Sequence, residues 1–99
     1  MANRKITWSK TALKQFEAAI NYIAEDSIQN AEKVRKEILE KIEKLIVNPE
    51  IYTFDKHKAS NDGSYRAFEL YRYRIAYRII EKEIRIFRVR HTSREPKEY

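Results

Sequence analysis

Apolar residues recur at helical spacing twice in the first half of the chain and at strand spacing three times in the second. Leu13, Phe16, Ala19, Ile20 and Ile23 form one stripe at three- and four-residue steps. With Ser9 placed before it as an N-cap, this stripe predicts a helix over about 10–25. Ala31, Val34, Ile38, Ile42 and Leu45 form a second stripe, begun at Asp26-Ser27 and ended by Asn48-Pro49, and predict a helix over about 28–47. So short a connection makes the two an antiparallel hairpin. Upstream, Ile6-Thr7-Trp8 reads as a strand over about 4–8. Downstream, three stretches over about 65–70, 74–80 and 84–91 are rich in aromatic and β-branched residues, with short polar breaks between them. They predict antiparallel neighbours. Residues 51–64 show no periodicity, and Asn61-Asp62-Gly63-Ser64 supplies turn chemistry. The expected fold class is α+β, in a single domain over 1–99: an N-terminal strand, an antiparallel helical hairpin, then a three-stranded antiparallel sheet.

Within the strands the alternation separates two faces. Ile75, Tyr77 and Ile79 share one parity, Arg74, Ala76 and Arg78 the other. In the last strand Ile84 and Ile86 oppose Arg85, Phe87 and Val89, and strict alternation carries Arg88 and Arg90 onto the face of Ile84 and Ile86. One face packs on the hairpin, and the other is half aromatic and half cationic.

Charge sharpens that picture. Of ten arginines, eight lie between Arg66 and Arg94. Residues 65–99 hold ten Lys and Arg against five Asp and Glu, and so carry five of the six net positive charges. A field built from arginine suits planar, bidentate contact with phosphates or carboxylates. Arg74, Arg78, Arg88, Arg90 and Arg94 are the candidate anion- or target-binding residues. Tyr71, Tyr73 and Tyr77 are candidates for base stacking or for core. The mixed charges on the outer helix faces read as solvated surface.

Composition removes several function classes. The chain has no cysteine, which excludes disulfides and thiolate chemistry. A single glycine leaves no Gly-rich phosphate loop, so no nucleotide cofactor is expected. His57 falls in the loop with only Asp55 near it in sequence, and His91 stands alone, so no metal is expected. No stretch has the length of a signal peptide core or a membrane span, and a cytoplasmic protein with no membrane partner and no small-molecule substrate is expected.

The order of these signals resembles the RelE/ParE superfamily of bacterial toxins. The resemblance rests on Trp8-Ser9, on Asn21-Tyr22-Ile23-Ala24-Glu25 and on Leu45-Ile46-Val47-Asn48-Pro49. It continues through Tyr65-Arg66-Ala67-Phe68 and Tyr73-Arg74-Ile75-Ala76-Tyr77-Arg78 to the ending His91-Thr92-Ser93-Arg94-Glu95-Pro96. It covers nearly the whole chain, and the length, the two long helices and the ending are more similar to the ParE branch. The resemblance implies a toxin held inactive by a cognate antitoxin protein, which would fill the groove along the helical stripes. It also implies a target, DNA gyrase for ParE-like members and mRNA on the ribosome for RelE-like ones.

RelE-like cleavage needs a proton acceptor at the 2′-hydroxyl, cations for the phosphate and a donor for the leaving oxygen. By resemblance these positions fall on Arg66, Arg74, His91, Arg94 and Tyr99, with Phe68 where another basic side chain would stand. A ParE-like member would have no catalytic activity of its own. Two further classes compete: a non-toxic nucleic-acid-binding module with steep salt dependence, and an inactive relative that only occupies an antitoxin.

Overall fold

The computed structural model describes residues 4–94. Its elements are β1 (Lys5–Trp8), α1 (Lys10–Asp26), α2 (Ile28–Glu43), a 3-10 turn over Lys44–Ile46, then β2 (Tyr65–Leu70), β3 (Tyr73–Ile79) and β4 (Glu83–His91). Ser9 caps α1, its hydroxyl accepting the Ala12 N–H at 3.0 Å. Ser27 serves both helices. Its N–H donates to the Ile23 carbonyl, and its hydroxyl accepts the Asn30 N–H at 3.0 Å. One residue thus reverses the chain, because a single extended serine satisfies orphan groups on both helix ends.

The sheet has the order β1-β4-β3-β2. β2, β3 and β4 are antiparallel neighbours, and β1 adds a fourth strand, parallel to β4, with Ile6 opposite Ile84 and Trp8 opposite Ile86. The helical hairpin lies on one face. Phe16, Ile20, Val34, Ile38, Ile42 and Leu45 meet Ile75, Tyr77, Ile84, Ile86 and Val89 in one core. Each such side chain, fully buried, contributes about 1.5–3 kcal/mol. Tyr77 is fully buried and Tyr73 nearly so, which takes both out of base stacking. The Tyr77 hydroxyl donates to the Pro49 carbonyl at 2.7 Å, and burial pushes its pKa up to about 12. Tyr71 remains exposed, its hydroxyl donating to Glu37 at 2.6 Å.

Strict alternation along β4 does not hold. Ala76 pairs with Arg88 but Tyr77 pairs with Ile86, so Phe87 is the extra residue of a β-bulge. The bulge flips parity. Ile84, Ile86 and Val89 all face the core, while Arg88 and Arg90 join Arg74 and Ala76 on the opposite face. Burying two arginines under the hairpin would cost far more than one irregular ladder step. The step of three from Ile86 to Val89 is the signal of it in the sequence.

Residues 51–64 are not a free loop. Asp55 N–H donates to the Tyr65 carbonyl at 2.9 Å, and Phe54 bridges Arg66, so this segment covers the outer edge of β2. Asn61 holds the return: its side chain accepts from Gly63 N–H at 2.9 Å and donates to the Tyr65 carbonyl at 2.8 Å. Gly63, at φ 97°, occupies the one turn position that needs the left-handed region in a glycine.

Candidate functional site

The face of the sheet away from the hairpin carries Arg74, Arg78, Arg88 and Arg90, whereas Arg66, opposite Tyr77, is on the hairpin face. Ala67 and Ala76 stand opposite one another across β2 and β3, and Ala76 faces Arg88 on β4. With only the Ala76 methyl as its floor, a hollow remains between the segment Asp55–His57 on one side and the end of β4 on the other. The cavity measures about 160 Å³ and is lined by Asp55, Lys56, His57, Glu69, Arg74, Ala76, Arg88, Arg90, His91, Thr92 and Arg94.

Arg74 forms one wall, and its charge is already neutralised. Its Nη2 donates to Asp55 at 2.9 Å and its Nη1 to Glu69 at 2.9 Å. The Asp55 side chain is 1% exposed and also accepts the His57 N–H at 3.1 Å. Arg74 Nε is buried with no hydrogen-bond partner. This guanidinium ties the 51–64 segment to the sheet, which a strand-only view of its sequence does not show.

Arg66 lies outside the cavity. It donates to the Tyr52 carbonyl at 2.7 Å and to the Glu50 carbonyl at 3.3 Å, and it stacks over Phe54 at 4.6 Å. Arg78 is also elsewhere, stacked over Tyr65 at 4.7 Å with its Nε donating to Ser64 at 3.1 Å. The bulge, by contrast, delivers Arg88 and Arg90 to the cavity, and His91 and Arg94 follow from the strand end. Arg90 and Arg94 form no ion pair with a described residue. Tyr99 lies outside the described residues.

Two histidines share this cavity, contrary to the isolation that their sequence positions suggest. His57 has its pKa lowered from 6.5, first by burial and then by the Arg74 charge. His91 packs edge-on against Tyr73 at 5.1 Å, and its Nδ1 accepts the Ser93 N–H at 3.1 Å. That bond leaves Nε2 as the N–H position of the ring. Lys56 and Glu69 are not marked as site residues by the sequence, and Asp55 and His57, considered there only for a metal, meet the end of β4 through non-local folding. Among the described residues no group of three or more His, Cys, Asp or Glu is placed to hold a metal ion.

Arg90, His91 and Arg94 also line a second, broader depression of about 540 Å³, whose other wall is the α1 face of Gln15, Ala18, Ala19 and Tyr22. β1 pairs β4 only as far as Ile86, and beyond it the Val89 N–H donates to the Gln15 side chain at 2.8 Å. The end of β4 is therefore a partition between the two hollows.

Residues 6–96 match the family model described as ParE toxin of type II toxin-antitoxin system, parDE. No curated protein matches the sequence. Among solved structures the chain is similar to one from the chromosomal ParDE TA system of P. aeruginosa, at 18% identity and a TM-score of 0.70, covering 90% of this chain and 96% of that one. It is also similar to YoeB from Staphylococcus aureus, whose structure is of a dimer, at 22% identity and a TM-score of 0.57, covering 87% and 93%. Both likenesses are of fold: a strand, a helical hairpin and a sheet.

Proposed function

Since the chain belongs to the ParE toxin family of type II toxin–antitoxin systems, we propose that it arrests growth in the cytoplasm as a poison of DNA gyrase, contacting its target through Arg88, Arg90, His91 and Arg94. The observation that carries this reading is that two cations of the expected RNA-cleaving set, Arg66 and Arg74, are already bonded within the fold. Arg66 is bound to loop carbonyls outside the cavity, and Arg74 is held by two carboxylates. Cleavage chemistry asks its cations to meet a scissile phosphate, and the bonds that Arg66 and Arg74 already make favour a role in holding residues 51–64 instead. A target-binding surface needs only the cations at the end of β4.

The partner in this reading is a cognate antitoxin with an acidic, apolar segment. The depression beside α1 suits it: alanines and a tyrosine on one wall, Arg90 and Arg94 on the rim. Because those arginines also line the cavity, a segment seated in the groove would neutralise the very residues that contact the target.

The test is a supercoiling reaction with purified gyrase, plasmid and ATP. Toxin at stoichiometric amounts is expected to accumulate linear plasmid covalently held by gyrase, and the antitoxin to prevent it. New, codon-linked 5′ ends in cellular mRNA, with gyrase untouched, would replace this reading by ribosome-dependent cleavage.

A further inference from the structure

The cavity lining is lopsided in charge. Lys56, Arg74, Arg88, Arg90 and Arg94 stand against Asp55 and Glu69, and both carboxylates are engaged by Arg74. Arg90 sits directly across the ladder from Arg74. Like charges in that position destabilise a sheet unless an anion offsets them. Arg74 has its two carboxylates, and Arg90 pairs with no described residue. His91 adds an N–H at Nε2, because its Nδ1 accepts from Ser93.

These groups are donors, and their number selects among anions. One guanidinium satisfies the two oxygens of a planar carboxylate. Two guanidiniums and an imidazole around one hollow suit a tetrahedral group with acceptors on several sides. The space is sufficient: about 160 Å³, against the roughly 10–15 Å³ of such volume that a single water needs. Resting on the gyrase reading for the choice of strand, we infer that the cavity binds a backbone phosphate of DNA, with Arg90, Arg94 and the His91 N–H as its donors. The toxin then touches the DNA that gyrase holds as well as the enzyme.

The experiment uses the purified full chain and a fluorescent single-stranded DNA 12-mer, titrated over a range of salt. The parent is expected to bind saturably. Arg90→Gln and Arg94→Gln should each weaken binding about tenfold, the worth of one charge-assisted hydrogen bond, and lower the salt slope by about 1. Arg35→Gln, the same charge change at an exposed α2 site paired with Glu17, should bind as the parent does. A methylphosphonate 12-mer, which has no backbone charge, should not bind.

Equal weakening by Arg35→Gln would overturn the inference, since net charge alone would then account for binding. So would binding of the neutral 12-mer. A parent chain that poisons gyrase but shows no saturable binding of the 12-mer would remove the inference and leave the gyrase reading standing. DNA binding of the expected kind with no effect on gyrase would do the reverse. An RNA 12-mer of the same sequence bound tenfold tighter, or cut, would sink both.

Discussion

The arginines of β2 and β3 and those at the end of β4 are used differently, although Arg74, Arg78 and Arg90 share the face away from the hairpin and only Arg66, opposite Tyr77, lies on the hairpin face. On the β2 side Arg66, Arg74 and Arg78 are bonded to carbonyls, carboxylates or a serine hydroxyl, and Arg66 and Arg78 also stack on aromatic rings. They fasten residues 51–64 against the strand edge. On the β4 side Arg90 and Arg94 border a cavity and ion-pair with no described residue. One residue type serves as a rivet where the fold supplies oxygen atoms and as a ligand-seeking group where it does not. Arginine density in a sequence therefore locates a basic face without saying which of its members are available.

Substitutions on the two sides should separate cleanly. The largest effect is expected from Asp55→Ala, which strips a buried guanidinium of its partner. About 3–5 kcal/mol of stability should be lost, as when one member of a buried pair is removed, with a matching fall in the melting temperature. A loss below about 1 kcal/mol would mean that Arg74 finds water or Glu69 sufficient. Arg66→Gln should cost about 1–3 kcal/mol through the Tyr52 and Glu50 carbonyls it leaves short of a donor, and should raise amide exchange in residues 51–64 more than in α1.

Two pH effects come next. The Tyr77 pKa is raised by burial from 10 to about 12, so the stability of its neutral form is complete below pH 10 and is lost as pH rises through about 12. Tyr77→Phe should flatten the alkaline limb of a melting-temperature profile, at a cost of about 1 kcal/mol at neutral pH. His57 is depressed below 6.5. Its contribution is therefore present above pH 6.5 and is lost as pH falls below it, and His57→Gln should reduce the decline in melting temperature between pH 7 and pH 5. The smallest stability effect belongs to the other side of the comparison. Arg90→Gln and Arg94→Gln should each change stability by less than about 0.5 kcal/mol.

Much of the fold was legible because its signals are local. The apolar stripes of Phe16–Ile20 and Val34–Ile42, the caps at Ser9 and Ser27, and the aromatic, β-branched strands each follow from neighbours within a few residues. The α+β order of strand, hairpin and antiparallel strands came from these. The bulge at Phe87 was missed by applying a period of two where the Ile86 to Val89 step breaks it. As a result the expected face of Arg88 and Arg90 was wrong by one position of parity.

The candidate site was legible in part. Arg88, Arg90, His91 and Arg94 lie together at one strand end, and the chain brings them to one cavity. The opposite wall was hidden. Asp55 and His57 reach it only because the edge of β2 accepts residues 53–55 as a further partner, and nothing periodic in that segment announces it. Arg66 and Arg74 read as available cations because the Tyr52 carbonyl and the Asp55 carboxylate that hold them lie 14 and 19 residues away in sequence.

The division between rivets and contacts meets its most direct test in the Arg90→Gln/Arg94→Gln double variant, expressed from a tightly repressed promoter, with growth and the melting temperature of the purified chain measured together. Loss of growth arrest with melting within about 4 °C of the parent is the predicted result. A double variant that melts like the parent and still arrests growth would contradict it.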